Sequence, residues 1–120
     1  MNFEITPFPV SVYCDFSPTE KQGVKKIAEK LKIPVFTPDP EKSNEGGGLT
    51  TMFGSQVVLW IDPRAERKVV FHEAWHVWEY LCEYTGMDGS DSESAAYIIA
   101  DITENILTLW EQARKRRKIK

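Results

Sequence analysis

Apolar and polar residues follow one another along this chain in patterns that predict short strands separated by helices. Residues 10–16 (VSVYCDF) alternate and are rich in β-branched and aromatic side chains, which is typical of a strand. Residues 55–61 (SQVVLWI) form a continuous apolar run that predicts another strand, and residues 34–37 (PVFT) are a shorter candidate. Residues 37–54 contain two prolines and three consecutive glycines, so we expect a flexible surface loop there.

Three helices are predicted from their end signals. Residues 17–20 (SPTE) offer a serine N-cap, a proline at the first helical position and a glutamate that closes a capping box. The second helix is expected to open at residues 62–63 (DP) and to end at Gly86. The third is expected to start near residues 90–92 and to run into the basic end of the chain. This order predicts an α+β domain, a small β-sheet packed against three helices.

Apolar side chains cover most of the circumference of the predicted second helix, so we expect this helix to be buried, with its tryptophans in the core. One side carries Val70, Ala74, Val77 and Leu81, and another carries Phe71, Trp75, Trp78 and Cys82.

The predicted third helix has two distinct faces at a rotation of about 100° per residue. The first is a core face of Ile98, Ile99, Ile102, Ile106 and Leu109. The second carries Glu93, Ala96, Tyr97, Ala100, Asp101 and Glu104. Because alanine is small, we expect this second face to approach the second helix closely.

Length and composition indicate one small domain over residues 1–120, with 42% hydrophobic and 28% charged residues. The sequence has no apolar run of the ~20 residues needed to span a bilayer and no signal-peptide pattern, so we expect a cytoplasmic protein without a membrane partner. Cys14 and Cys82 are expected to be free thiols, because two distant cysteines make neither a disulfide framework nor a metal-binding pair.

Charge is distributed unevenly along the chain. Residues 114–120 (RKRRKIK) form a basic C-terminal tail with six of the 15 basic residues, which leaves nine basic residues against 18 acidic ones elsewhere. A basic last turn suits a helix C-terminus. Nucleic-acid association through the tail is an alternative function, but the acidic remainder of the chain disfavours a broad nucleic-acid surface.

The segment HEAWH, residues 72–76, contains both histidines of the chain. On a helix, His72 and His76 project from one face and can bind one ion, and neutral imidazole suits Zn²⁺. Glu73 lies beside that ion and can take a proton from its water, which is the HExxH arrangement of zinc hydrolases. The alternative is a buried histidine pair with satisfied hydrogen bonds.

A catalytic zinc requires a third protein ligand, and a carboxylate is expected because neither cysteine is well placed. The candidates are Asp88, Asp91, Glu93, Asp101 and Glu104. We favour Glu93, 17 residues after His76, although it also fits as a first-turn acid or as the end of a capping box with Ser90. Asp101 or Glu104 can orient a ligand imidazole as outer-shell partners, and Tyr97 is a candidate for the same role or for stabilising an oxyanion.

HEAWH followed by ESAAY resembles the small zincin-type metallopeptidase-like proteins of phages and prophages, which are similar to the ImmA/IrrE family and, more broadly, to gluzincins. The resemblance covers about residues 57–106. It implies a minimal zincin-like domain, with His72, His76 and Glu93 as zinc ligands, Glu73 as the catalytic residue, and Ala96 and Tyr97 completing the second motif.

The expected function is a zinc metallopeptidase that hydrolyses a protein or peptide substrate through a metal-activated water. Residues 55–61 are expected to offer a strand edge to the peptide, with the loop at residues 46–48 over the cleft. A catalytically inactive zinc-binding module that acts through protein contacts is the first alternative. The nucleic-acid-associated protein that uses the basic tail is the second.

Overall fold

The computed structural model of the chain describes residues 1–5, 8–37, 43–44, 47–87 and 92–119, with the backbone alone at 43–44, 92 and 117–119. Within these ranges, no helix has the length and apolar content needed to cross a bilayer.

A mixed β-sheet and three helices make up the described part of the chain. The strands are β1 (Asn2–Glu4), β2 (Ser11–Asp15), β3 (Ser43–Asn44), β4 (Gly48–Phe53) and β5 (Gln56–Ile61), in the spatial order β1-β2-β5-β4-β3. β2 and β5 are parallel, and the other neighbours are antiparallel. The helices are α1 (Glu20–Leu31), α2 (Arg67–Thr85) and α3 (Ser92–Ile119). The predicted α+β class, a small sheet packed against three helices, is confirmed.

The sheet is covered on both faces. α1 packs Val24 and Ile27 against one face, next to Trp60 of β5. This approach depends on Gly23, because a Cβ atom there would lie 2.3 Å from Cδ1 of Trp60. The opposite face of the sheet packs against α2 and α3. The buried residues on that side include Val12, Val57, Leu59, Ile61, Val70, Val77, Leu81, Ile102, Ile106 and Trp110.

α3 runs antiparallel to α2. The Nε1 atom of Trp110, in the second half of α3, donates to the carbonyl oxygen of Asp62 just before α2, at 3.2 Å. Trp110 is buried, and the Arg114 guanidinium lies 4.5 Å from the centre of its ring. The basic residues expected to form a tail therefore continue the helix, whose backbone is helical to Ile119.

Two helix starts differ from prediction. Thr19, and not Ser17, caps α1, and its side chain accepts from the Gln22 amide. α2 begins at Arg67 because the Asp62 carboxylate accepts from the Arg64 amide at 2.8 Å, which holds the preceding residues in a turn. The predicted helix end at Gly86 is confirmed, since its φ is 77° and its amide donates to the carbonyl oxygen of Cys82.

The strand predictions were incomplete. Residues 34–37 form no strand, and the expected loop at 37–54 contains β4, which pairs along its whole length with β5. β5 lies between β2 and β4, so it has no open edge for a peptide, contrary to our expectation. A strand's neighbours are set by distant segments, and local sequence does not report them.

The burial of α2 and α3 also differs from prediction. Trp78 is buried, but Phe71 and Trp75 are 48% and 51% exposed because α2 meets the sheet and α3 on its other sides. The core face of α3 is confirmed by the burial of Ile102 and Ile106. Its second face does not approach α2, since all six residues of that face are exposed: Glu93, Ala96, Tyr97, Ala100, Asp101 and Glu104.

Candidate metal centre on α2

α2 carries His72, Glu73 and His76, and the two imidazoles meet on its surface. Their Nε2 atoms are 3.1 Å apart, and the rings stand at 82° with centroids 4.7 Å apart. The i,i+4 spacing on a helix brings the rings together. His72 is exposed, while the His76 side chain is only 12% exposed. Both Nε2 atoms thus point to one position at the surface of α2.

Glu79 orients His76. Its Oε1 lies 2.7 Å from Nδ1 of His76, so a neutral His76 donates Nδ1–H to the carboxylate and keeps the lone pair on Nε2. A carboxylate behind the imidazole is a common partner of metal-binding histidines. Sequence reasoning missed Glu79, although its i,i+3 spacing from His76 was a usable signal.

The electrostatics of His72 favour its neutral form. Partial burial lowers the pKa of His72, and the neighbouring His76 lowers it further, while Glu79 opposes the shift. Neutral imidazole is the form that binds a metal ion, so this environment lessens competition from protons.

Glu73 points away from the solvent, toward β4. It is fully buried, and the Thr50 hydroxyl donates to its Oε1 at 2.6 Å. Gly48, two residues before Thr50, gives the carboxylate its space, since a Cβ atom there would lie 2.8 Å from Oε2 of Glu73. Sequence reasoning placed both β4 residues in a loop and missed these contacts.

The structure does not bring Glu93 to the histidines. Among the described residues, no group of three or more His, Cys, Asp or Glu residues could hold an ion. Glu93 is exposed in the first turn of α3. α2 continues nine residues past His76, about 13 Å, before the antiparallel α3 begins. Asp88 and Asp91, the other early candidates, lie outside the described residues.

The remaining predicted residues are also exposed. Tyr97 is 71% exposed on α3. Asp101 and Glu104 line a shallow groove with Phe3 of β1, so they face the opposite edge of the sheet from β4. The carboxylate that contacts His76 in this structure belongs to Glu79. The outer-shell roles of Asp101 and Glu104 stay predictions.

The cysteines take no part in this cluster. Cys14 and Cys82 form no disulfide with each other, as expected. Cys14 is buried in the sheet, and burial raises the pKa of its thiol.

Comparison with known proteins adds no assignment. No family model, curated protein or solved structure matches this chain. The resemblance to small zincin-type proteins therefore stays a prediction that rests on the two motifs, and the argument for a metal depends on the residues themselves.

The histidine pair fits a zinc ion as two of its ligands. Two nitrogens at about 2.0–2.1 Å from a tetrahedral ion are roughly 3.3–3.4 Å apart, close to the 3.1 Å between the two Nε2 atoms. Without an ion the same distance suits a hydrogen bond, in which His72 Nε2–H donates to the lone pair of His76 Nε2. An ion would replace that proton, while Glu79 keeps His76 in the required tautomer.

Proposed function

We propose that this protein is a zinc-dependent metallopeptidase with a minimal zincin-like domain. The observation that carries the proposal is the convergence of the His72 and His76 Nε2 atoms at 3.1 Å, with Glu79 behind His76. Glu73, the residue after His72, is the carboxylate that we assign to hydrolysis, and because it is buried against β4 this role requires it to turn toward the ion. The two motifs, HEAWH and ESAAY, support the same reaction class.

In the proposed reaction, His72 and His76 hold the ion, and Glu73 is the general base. When bound by His72 and His76, zinc would supply Lewis acidity for lowering the pKa of a water and polarising the scissile carbonyl. Glu73 takes the proton of the attacking water and passes it to the leaving amine. Glu79 keeps the His76 ring in one orientation throughout.

Glu93 is our proposed third ligand, with Tyr97 as an oxyanion donor and Asp101 or Glu104 as outer-shell partners. The support for Glu93 is its place in the second motif and the need of a catalytic zinc for three protein ligands. Since Glu93 is exposed at the start of α3, this role requires α3 to approach the histidines when the ion binds.

A second candidate function is a zinc-binding module that acts through protein contacts without catalysis. The complete burial of Glu73 against β4 favours it, because a carboxylate held there can serve the packing of α2 alone. The two candidates differ in what the Glu73 carboxylate does, and its replacement separates them.

The first experiment measures zinc binding by isothermal titration calorimetry. We expect one zinc per chain in the parent, loss of binding in His72→Ala and His76→Ala, and weakened binding in Glu93→Gln, which lacks the proposed third ligand. Glu83→Gln, an exposed carboxylate on α2, is the matched control and should bind like the parent. A folded parent that binds no zinc would contradict both candidates.

The second experiment measures hydrolysis of a mixture of internally quenched fluorescent peptides by zinc-loaded protein. Glu73→Gln keeps an oxygen for the Thr50 hydroxyl, so we expect it to fold and to bind zinc. Its rate should fall about 100-fold or more, because general bases contribute roughly 10²–10⁴-fold. Activity that survives in this variant would reject the mechanism. A zinc-loaded parent that cleaves no peptide would support the second candidate.

A further inference from the structure

The histidine pair fills two of the four positions around a tetrahedral zinc ion. Within the described part of the chain, no group of three or more His, Cys, Asp or Glu residues could hold an ion, so the other two ligands are not at hand. The pair lies on the surface of α2, where His72 is exposed. Ligands that complete the ion therefore have room to approach from a second molecule.

The surface around the pair is an exposed stripe of α2 with two large aromatic rings. At about 100° per residue, Lys68, Phe71, His72, Trp75 and Glu79 lie within an arc of roughly 100°. Phe71 is 48% exposed and Trp75 is 51% exposed. These two rings are four residues apart and so are neighbours on the helix. The stripe thus combines metal ligands with apolar area that a partner can bury.

The charges of this stripe are complementary to those of an antiparallel copy of itself. Lys68 lies six residues before the midpoint of the histidine pair, and Glu79 lies five residues after it, about 9 and 8 Å along the helix axis. Their side chains are 81% and 37% exposed. When two copies of α2 lie antiparallel with their histidines facing, Lys68 of each copy is opposite Glu79 of the other. A parallel pair would place Lys68 opposite Lys68.

We infer that two copies of this chain share one zinc ion, each supplying Nε2 of His72 and of His76. The two nitrogen pairs occupy opposite edges of the tetrahedron, and a two-fold axis through the ion exchanges them, as in most homodimers. Imidazoles on both sides of an ion keep the helix axes farther apart than the about 8–10 Å of direct packing. The large rings of Phe71 and Trp75 suit the space between them.

This inference rests on the zinc site of the proposed function and adds a partner and a form of regulation to it. Four protein ligands leave no position for a water, whereas a catalytic zinc requires an open one. The shared ion is therefore an inactive form, favoured when chains outnumber ions. Excess zinc gives each chain an ion of its own, which is the form that we assign to hydrolysis.

The first test is sedimentation equilibrium of the full chain at several zinc concentrations. With EDTA we expect the 13.8 kDa monomer, because one helix stripe offers less than the roughly 1,200 Å² that a stable interface buries. With one zinc per two chains we expect twice that mass. His72→Ala and His76→Ala should stay monomeric. Glu93→Gln should dimerise like the parent, because Glu93 is not a ligand of the shared ion.

The second test removes an aromatic ring and keeps both histidines. At one zinc per two chains, Trp75→Ala should weaken dimerisation about 10- to 100-fold, as is typical when a buried interface tryptophan is truncated. Tyr84→Ala is the matched control. Tyr84 is 47% exposed on α2 but lies about 120° around the helix from His72, outside the stripe, so this variant should dimerise like the parent. Thermal unfolding verifies that each variant folds.

A parent that stays monomeric at one zinc per two chains would overturn the inference. So would a dimer that persists in EDTA or in His72→Ala, because its formation would not depend on a shared ion. Equal dimer affinities for Trp75→Ala and Tyr84→Ala would reject the contact between the two α2 stripes.

The outcomes also separate this inference from the proposed function. If the parent binds zinc and cleaves peptides but stays monomeric at every zinc ratio, the peptidase stands and the shared ion falls. If zinc dimerises the parent and excess zinc yields no cleavage, the peptidase falls and the shared ion stands. The second copy is then the protein partner of the non-catalytic module.

Discussion

Glu79 determines which nitrogen of His76 is available to an ion. The contact of its Oε1 with Nδ1 of His76, at 2.7 Å, is short enough to select the tautomer that carries the proton on Nδ1. The Nε2 lone pair then faces Nε2 of His72. Without Glu79, Nδ1 of His76 would lose this acceptor, and the preference for that tautomer would weaken.

We therefore predict that Glu79→Ala weakens zinc binding by about 10- to 100-fold, as is typical when the partner of a ligand histidine is removed. Glu79→Gln, which keeps an acceptor oxygen but no charge, should fall between this variant and the parent. A competition titration against a chromophoric chelator measures the affinities. Glu83→Ala, one turn further along α2, is the control. Equal affinities for Glu79→Ala and Glu83→Ala would show that Glu79 does not orient a ligand.

At the scale of the elements, β4 and α2 come into close contact at Gly48. The carboxyl group of Glu73 fills the space where a side chain at Gly48 would be, just as Trp60 of β5 fills the space beside Gly23 of α1. In both places a glycine lets a helix and a strand approach more closely than any larger residue would allow. How closely the Glu73 side chain of α2 approaches β4 thus depends on the size of residue 48.

We predict that Gly48→Ala lowers the free energy of unfolding by about 1–3 kcal/mol, the usual cost of overpacking a buried site. In a Glu73→Ala background the obstructing atoms are gone, so the same substitution should cost much less. Urea unfolding of the two single variants and the double variant gives the coupling between the sites. An equal cost in both backgrounds would mean that Gly48 serves the backbone of β4 and not the carboxylate.

At the scale of the whole molecule, α2 and α3 pack side by side on one face of the sheet, and the histidines of α2 lie at the rim of this packing. The hydrogen bond from Trp110 to Asp62 ties the far end of α3 to the start of α2. An ion bound by His72 and His76 would therefore bind only when α2 is folded, and its binding energy would add to the stability of the domain.

We predict that zinc at about 100 times its dissociation constant raises the free energy of unfolding by roughly 2.7 kcal/mol, or Tm by about 10 °C for a domain of this size. Differential scanning calorimetry measures the shift, and EDTA should reverse it. His72→Ala, folded but lacking one ligand, should show no shift. If this variant gains as much as the parent, the ion binds elsewhere.

Local sequence was sufficient to predict the three helices, although not where α1 and α2 begin, and to predict that the two histidines meet. The two histidines converge because residues four apart on any helix share a face, so their spacing already specified the geometry. The end of α2 at Gly86 and the core face around Ile102 and Ile106 were predictable for the same reason: capping and helical periodicity act within a few residues.

Only the tertiary structure determined which strands and side chains surround α2. Which strands pair, and hence that β5 is central and β4 lies over Glu73, depends on contacts between distant segments. The exposure of Trp75 and the distance from His76 to Glu93 likewise follow from how α2 and α3 pack. The spacing of His72 and His76 along the chain determined that these side chains meet on the surface of α2. Packing determined which carboxylate lies behind His76 and which strand holds Glu73, because burial depends on the surfaces that meet.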